Sequence, residues 1–158
     1  MTNQKTRRLA AIMFTDIVGY TALMQQDETI AVALRTLHRK AFQQYHEKFN
    51  GEILQYFGDG TLSIFQSGVE AVECAIAIQK ELTQGDKVPI RVGLHVGDIV
   101  VDGTEVYGDG VNLASRIESM GVAGAILVSG KLNDDIKNHS GITTVSVGQF
   151  EFKNIQQP

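Results

Sequence analysis

At 158 residues with 43% hydrophobic content, the chain can enclose one real core and is too short for two ordinary domains, so residues 1–158 are expected to form one domain. A net charge of −4 argues against the basic face that nucleic-acid binding needs, and any nucleotide is expected to be held through metal. Cys74 is the only cysteine, which rules out a disulfide framework within one chain and reads as a small buried side chain.

Lys5, Arg7 and Arg8 precede the apolar run Leu9 to Phe14, which reads as a buried strand. The run meets Asp16 too soon for a signal peptide or a spanning helix, so no membrane insertion by this segment and a reducing, cytoplasmic setting are expected. From about Thr21 to Phe49, Ile30, Leu34, Leu37, Ala41, Tyr45 and Phe49 recur every three or four residues, predicting one long helix stopped by Asn50-Gly51. Glu52 to Phe57 and Thr61 to Phe65 flank an Asp59-Gly60 turn and read as a hairpin.

Ser67 is placed to cap a helix running to about Leu82. Pro89 precedes a strand from Ile90 to about Val101, Asp102 to Glu105 reads as a turn, and a helix spans about Asp109 to Ser119. Ile126 to Val128, Ile142 to Val147 and Phe150 to Lys153 are further strand candidates. Alternating strands and helices with one adjacent hairpin favour an α/β sandwich on a mixed sheet.

Two aspartates stand where an apolar run turns into a tight loop, Asp16 in Phe14-Thr15-Asp16-Ile17-Val18-Gly19 and Asp59 in Gly58-Asp59-Gly60. Read locally, the first is a cap or turn aspartate and the second a hairpin residue. A strand ending in a carboxylate also leaves that group at a sheet edge, where Mg²⁺ takes one or two carboxylates plus substrate phosphates. The pair therefore points to phosphoryl chemistry on a nucleotide. Asn112 and Arg116 lie four apart on a helix and share a face, which locally reads as solvated surface. Lys131 lacks phosphate-loop spacing, and His38, His46, His95 and His139 lack metal-ligand spacing.

These segments, together with Tyr107-Gly108-Asp109-Gly110-Val111-Asn112-Leu113-Ala114-Ser115-Arg116, the Arg91 to Gly97 stretch and Phe152-Lys153-Asn154-Ile155, resemble the catalytic domain of class III nucleotide cyclases. The resemblance follows the family's motif order over nearly the whole chain. It implies a ferredoxin-like core with additions; the chain stops where relatives usually continue into one more strand, which fits either an excised domain or a chain that ends early. It implies that Asp16, Asp59 and the Ile17 carbonyl hold two Mg²⁺ or Mn²⁺ ions per site. It also implies that Asn112 orients the ribose, Arg116 stabilises charge on the α-phosphate and Lys153 contacts the triphosphate.

In the family these two sets belong to opposite sides of a dimer interface, so a homodimer with two symmetric sites is expected. Gln55 stands where adenylate cyclases usually place lysine and guanylate cyclases glutamate, and Glu105 where adenylate cyclases commonly place aspartate. An amide offers both donor and acceptor, so the pair suits adenine or, alternatively, guanine. The acidic Glu105 favours ATP, converted to cyclic AMP and pyrophosphate. Gln55, Asp98, where some relatives carry a phosphate-binding arginine, and the short turn between Val101 and Tyr107 together leave a third alternative, a nucleotide-binding regulatory domain without turnover.

Overall fold

Strand β1 (Lys5–Ile17) runs through the middle of a six-stranded sheet, in a computed structural model that describes residues 5–84, 88–103 and 105–146. The other strands are β2 (Glu52–Phe57), β3 (Gly60–Phe65), β4 (Ile90–Asp102), β5 (Glu105–Tyr107) and β6 (Ile126–Val128). Their order is β2-β3-β1-β4-β5, with every pair along it antiparallel and β6 parallel to β4. The mixed sheet expected from the element order is the one formed.

Helices α1 (Tyr20–Gln26), α2 (Glu28–Lys48), α3 (Gly68–Leu82), α4 (Asp109–Ser119) and α5 (Gly130–Ile136) complete the described residues. Strand alternation sorts the core into two layers. Ala11, Met13 and Ile17 of β1 face a cluster with Ala41 and Phe42 of α2, Ala75 and Ile78 of α3, and Leu132 and Ile136 of α5. Ala10 and Ile12 face the smaller cluster under α4, with Leu62, Ile64, Ile99, Val111 and Ala114.

Four local features differ from the sequence reading, each for a nearby reason. The long helix is broken at Asp27, whose extended backbone and carboxylate, accepting from the Ile30 N–H at 3.2 Å, cap α2 and end α1. Helix α5 was not anticipated; Ser129 caps it, accepting from the Leu132 N–H, and Leu132 and Ile136, one turn apart, are both fully buried. Residues 142–146 are not a strand: only Ile142 packs against the core, Val145 is 84% exposed, and Thr144 donates to Asn133 of α5 at 2.6 Å. Asp102 and Glu105, read as parts of a turn, are paired residues of the β4/β5 ladder. Val147 and the candidate strand Phe150 to Lys153 lie outside the described residues.

Three histidines are built into the core as neutral rings. His46 Nδ1 lies 2.7 Å from the Phe42 carbonyl, which can only accept, so Nδ1 carries the proton and Nε2 accepts from the Ser63 hydroxyl. His38 stacks on Phe42 at 4.0 Å, and both its ring nitrogens are buried without a hydrogen-bond partner among the described residues. Burial pushes His38, His46 and His95 down to about 4, with the charges of Arg39 and His46 adding to the effect at His38.

The unfolded chain therefore binds protons first as the pH falls. The resulting stability is fully present above about pH 6.5 and is lost progressively toward pH 4, about 3 kcal/mol per histidine as an upper bound. His38→Phe, which forfeits no hydrogen bond, is expected to raise the melting temperature at pH 7 and by more at pH 5. Melting curves at both pH values measure this, and an equal shift at the two would sink the titration argument.

Candidate active site

The end of β1 and the β2/β3 hairpin bring Asp16 and Asp59 together. Asp16 pairs with Gly60 across β1/β3, and the Ile17 N–H donates to the Asp59 carbonyl at 2.9 Å. Phe57 pairs with Gly60, so the two loop residues are Gly58 and Asp59 rather than the Asp59-Gly60 turn read from sequence. Gly58 has φ +52° and Asp59 does not have positive φ, the pattern of a type II′ turn, where glycine is needed first. The hairpin thus presents Asp59 from its tip while its carbonyl ties the tip to β1.

Electrostatics mark the pair. Burial raises the proton affinity of Asp59 and the Asp16 charge raises it further, partly countered by a backbone hydrogen bond and by Arg91. Half-buried carboxylates that repel each other fit a divalent cation, which supplies the missing positive charge through hard oxygen donors. Asp16 and Asp59 could therefore hold Mg²⁺ or Mn²⁺, and Ile17, whose N–H ties β1 to the Asp59 carbonyl, is the next residue along the strand.

Two residues that sequence reasoning did not single out for the site stand beside this pair. Arg91 lies directly opposite Asp16 in the β1/β4 ladder, and its guanidinium grips the carboxylate at two points, one of them Nε to Oδ1 at 3.0 Å. Burial raises the Asp16 pKa, but the hydrogen bonds from Arg91 and Glu118 and the Arg91 charge outweigh it and hold Asp16 below its usual range. Glu118 of α4 is 2% exposed and lies 3.7 Å from Arg91 Nε. Burial, with the adjoining Asp16 carboxylate, pushes it up to about 8, well above the usual carboxylate range.

Glycine explains how Glu118 gets so close: a Cβ on Gly93 would lie 2.4 Å from the Glu118 backbone nitrogen, so α4 can lie on β4 only where that side chain is missing. A signal for Glu118 was present, because it continues the buried stripe Val111, Ala114, Ile117 of α4 at helical spacing. Arg91 opens the Arg91 to Gly97 stretch that carries part of the resemblance, but its place opposite Asp16 could not be read there, since strand pairing is not written in local sequence.

The remaining expected residues are dispersed over the sheet and α4. Asn112 is exposed and Arg116 half-buried, one turn apart on α4, and neither side chain makes a hydrogen bond or ion pair among the described residues. Gln55 is half-buried on the edge strand β2, lining an open groove of about 600 Å³ with Gln43, Glu47 and Tyr56. Glu105 is exposed on the opposite edge strand, β5, and Asp98 is exposed on β4. Lys153 lies outside the described residues.

A model of the adenylate and guanylate cyclase catalytic domain matches residues 2–157. A protein named putative adenylate cyclase 3 from Rhizobium meliloti is 36% identical over 160 residues, which cover 96% of this chain and 27% of that protein. An adenylate cyclase of Mycobacterium tuberculosis is 31% identical over 152 residues, covering 82% of this chain and 34% of that protein. The chain thus spans about a quarter to a third of these curated relatives.

Among solved structures, an adenylate/guanylate cyclase/hydrolase from Silicibacter pomeroyi superposes with a TM-score of 0.88 at 31% identity, covering 98% of this chain and 95% of that one. The adenylyl cyclase CyaB of P. aeruginosa superposes with a TM-score of 0.84 at 27% identity, covering 98% and 92%.

Proposed function

Because the chain belongs to the adenylate and guanylate cyclase catalytic domain family, we propose that it converts ATP to 3′,5′-cyclic AMP and pyrophosphate, at sites shared between two copies of itself. The observation that carries this reading is the convergence of Asp16 and Asp59 at one end of the sheet, with the Asn112 and Arg116 side chains on α4 making no hydrogen bond or ion pair among the described residues.

Asp16, Asp59 and the Ile17 carbonyl would hold Mg²⁺ or Mn²⁺, which when bound supplies Lewis-acid charge that eases ribose 3′-hydroxyl ionisation and neutralises the triphosphate. Asn112 of the partner copy orients the ribose so that O3′ faces the α-phosphorus. The O3′–P bond forms as the bond from the α-phosphorus to the departing pyrophosphate oxygen breaks, and the hydroxyl proton leaves to solvent. Arg116 presents five fixed donors to the charge that builds on the α-phosphate oxygens. Lys153 adds a cation for the triphosphate. Gln55 and Glu105 read the base, the amide donating to adenine N1 and the carboxylate accepting from the exocyclic amine.

A second reading, GTP as substrate, draws on Gln55, whose amide can equally donate to guanine O6. A turnover assay with Mn²⁺ and each purine triphosphate, run across protein concentration with the products identified, tests both. Cyclic AMP as main product, with specific activity rising with concentration, is the expected result. Mainly cyclic GMP would move the base assignment, and no cyclic product from either substrate would defeat the enzyme reading.

A further inference from the structure

Strand β2 carries one residue more than its neighbour can pair. Its residues Glu52, Ile53, Gln55, Tyr56 and Phe57 face Ile64, Ser63, Leu62, Thr61 and Gly60 of β3, and the register shifts between Ile53 and Gln55. Leu54 is the surplus, a one-residue bulge on an edge strand. Both ends of β2 are fixed, so the surplus has nowhere to go. A Cβ on Gly51 would lie 2.5 Å from the Phe65 ring, which pins the start, and the Asp59 carbonyl ties the hairpin tip to β1. The bulge decides which way the strand faces. Ile53 packs against the larger cluster under α2, and the Tyr56 ring lies 4.5 Å from the Arg39 guanidinium of α2. Leu54 packs against the smaller cluster under α4, and Phe57 stacks at 5.7 Å on Phe14, which packs against that same cluster. Strict alternation from Ile53 would turn Gln55 to the α2 face. With two residues set against Leu62, Leu54 and Gln55 both stand on the α4 face, beside the helix that carries Asn112 and Arg116.

We propose that the Leu54 bulge aims the Gln55 amide at the purine base, which makes Leu54 a positioning residue for base choice. The inference rests on the reading of Gln55 as a base contact. A bulge sharpens strand twist locally and re-aims the side chain beside it. Leu54 also anchors the bulge: its side chain packs against the cluster formed with Leu62, Ile64 and Val111, so the surplus residue cannot migrate along β2. An amide donates from one end and accepts at the other, so a change of aim forfeits its bond to the base or exchanges one purine for the other.

Deleting Leu54 from the full chain tests this, because every cross-strand pair survives the deletion: Ile53 still faces Ser63, Gln55 still faces Leu62, and the alternation becomes regular. The readout is the ratio of kcat/KM for ATP to that for GTP, with Mn²⁺. The deletion is expected to lower this preference about tenfold, the worth of one redirected hydrogen bond. A general structural lesion lowers both rates by the same factor and leaves the ratio alone. Leu54→Gly keeps the residue count but removes the anchor, and is expected to lower the preference about threefold. It also covers the case in which the deletion variant fails to fold. A preference equal to or above the parent's in the folded Leu54 variants would overturn the proposal. Gln55→Ala separates the two levels: an unmoved ratio there removes the base-contact reading itself, whereas a moved one beside unmoved Leu54 variants condemns the bulge alone. A parent that forms no cyclic product removes the enzyme reading on which both stand.

Discussion

Arg116→Ala is expected to lower kcat by about a hundred- to thousandfold, the loss of about 2.7–4 kcal/mol of transition-state stabilisation from one well-placed donor. The fold should be indifferent to the change. Arg116 makes no hydrogen bond or ion pair among the described residues, and alanine is the best helix former, so α4 keeps its geometry. A melting temperature within a degree or two of the parent, alongside collapsed turnover, is the signature to look for. Arg116→Lys should recover little, because a point charge does not reproduce the planar fork. An alanine variant with near-parental kcat would remove Arg116 from the chemistry.

Asp59→Ala is expected to reduce turnover to background and to leave stability unchanged or slightly higher. Asp59 links to β1 through its backbone carbonyl, which alanine retains, and its carboxylate is disfavoured in the ionised form by burial and by Asp16. A carboxylate whose ionised form is disfavoured where it sits is a candidate functional group. Asp16 is a less clean target, because removing it strands the Arg91 guanidinium without its main partner.

Mixing the Asp59→Ala and Arg116→Ala chains adds a sharper test. If each site takes its carboxylates from one copy and Arg116 from the other, half of the redistributed dimers carry one intact site, and about a quarter of parental activity returns. Two inactive chains that stay inactive when mixed, despite demonstrated exchange of subunits, would place both residues in the same half-site.

Much of the architecture was legible because it follows from short-range chemistry. The strand before Asp16, the Ser67 cap and the Asn50-Gly51 stop are each decided within a few residues, and all are observed; Asn50 adopts φ +62° as that stop requires. The break at Asp27 had a local signal too, an aspartate placed to cap the Ile30 N–H, which the uninterrupted apolar period hid. Residues 142–146 show the opposite error. Their β-branched composition suited a strand, but a strand also needs a surface to bury against, and there only Ile142 has one.

The sequence by itself determined the order of the elements and the places where they stop, and it put aspartates at a strand end and a hairpin tip, since capping, turn formation and apolar period act over a few residues. Tertiary structure alone decided that Arg91 faces Asp16, and that Glu118 closes over Gly93 beside them. The reason is register: sliding β4 by one residue along β1 would turn Arg91 to the other face of the sheet, and what holds it in place is the packing of both faces at once rather than any residue nearby in the chain.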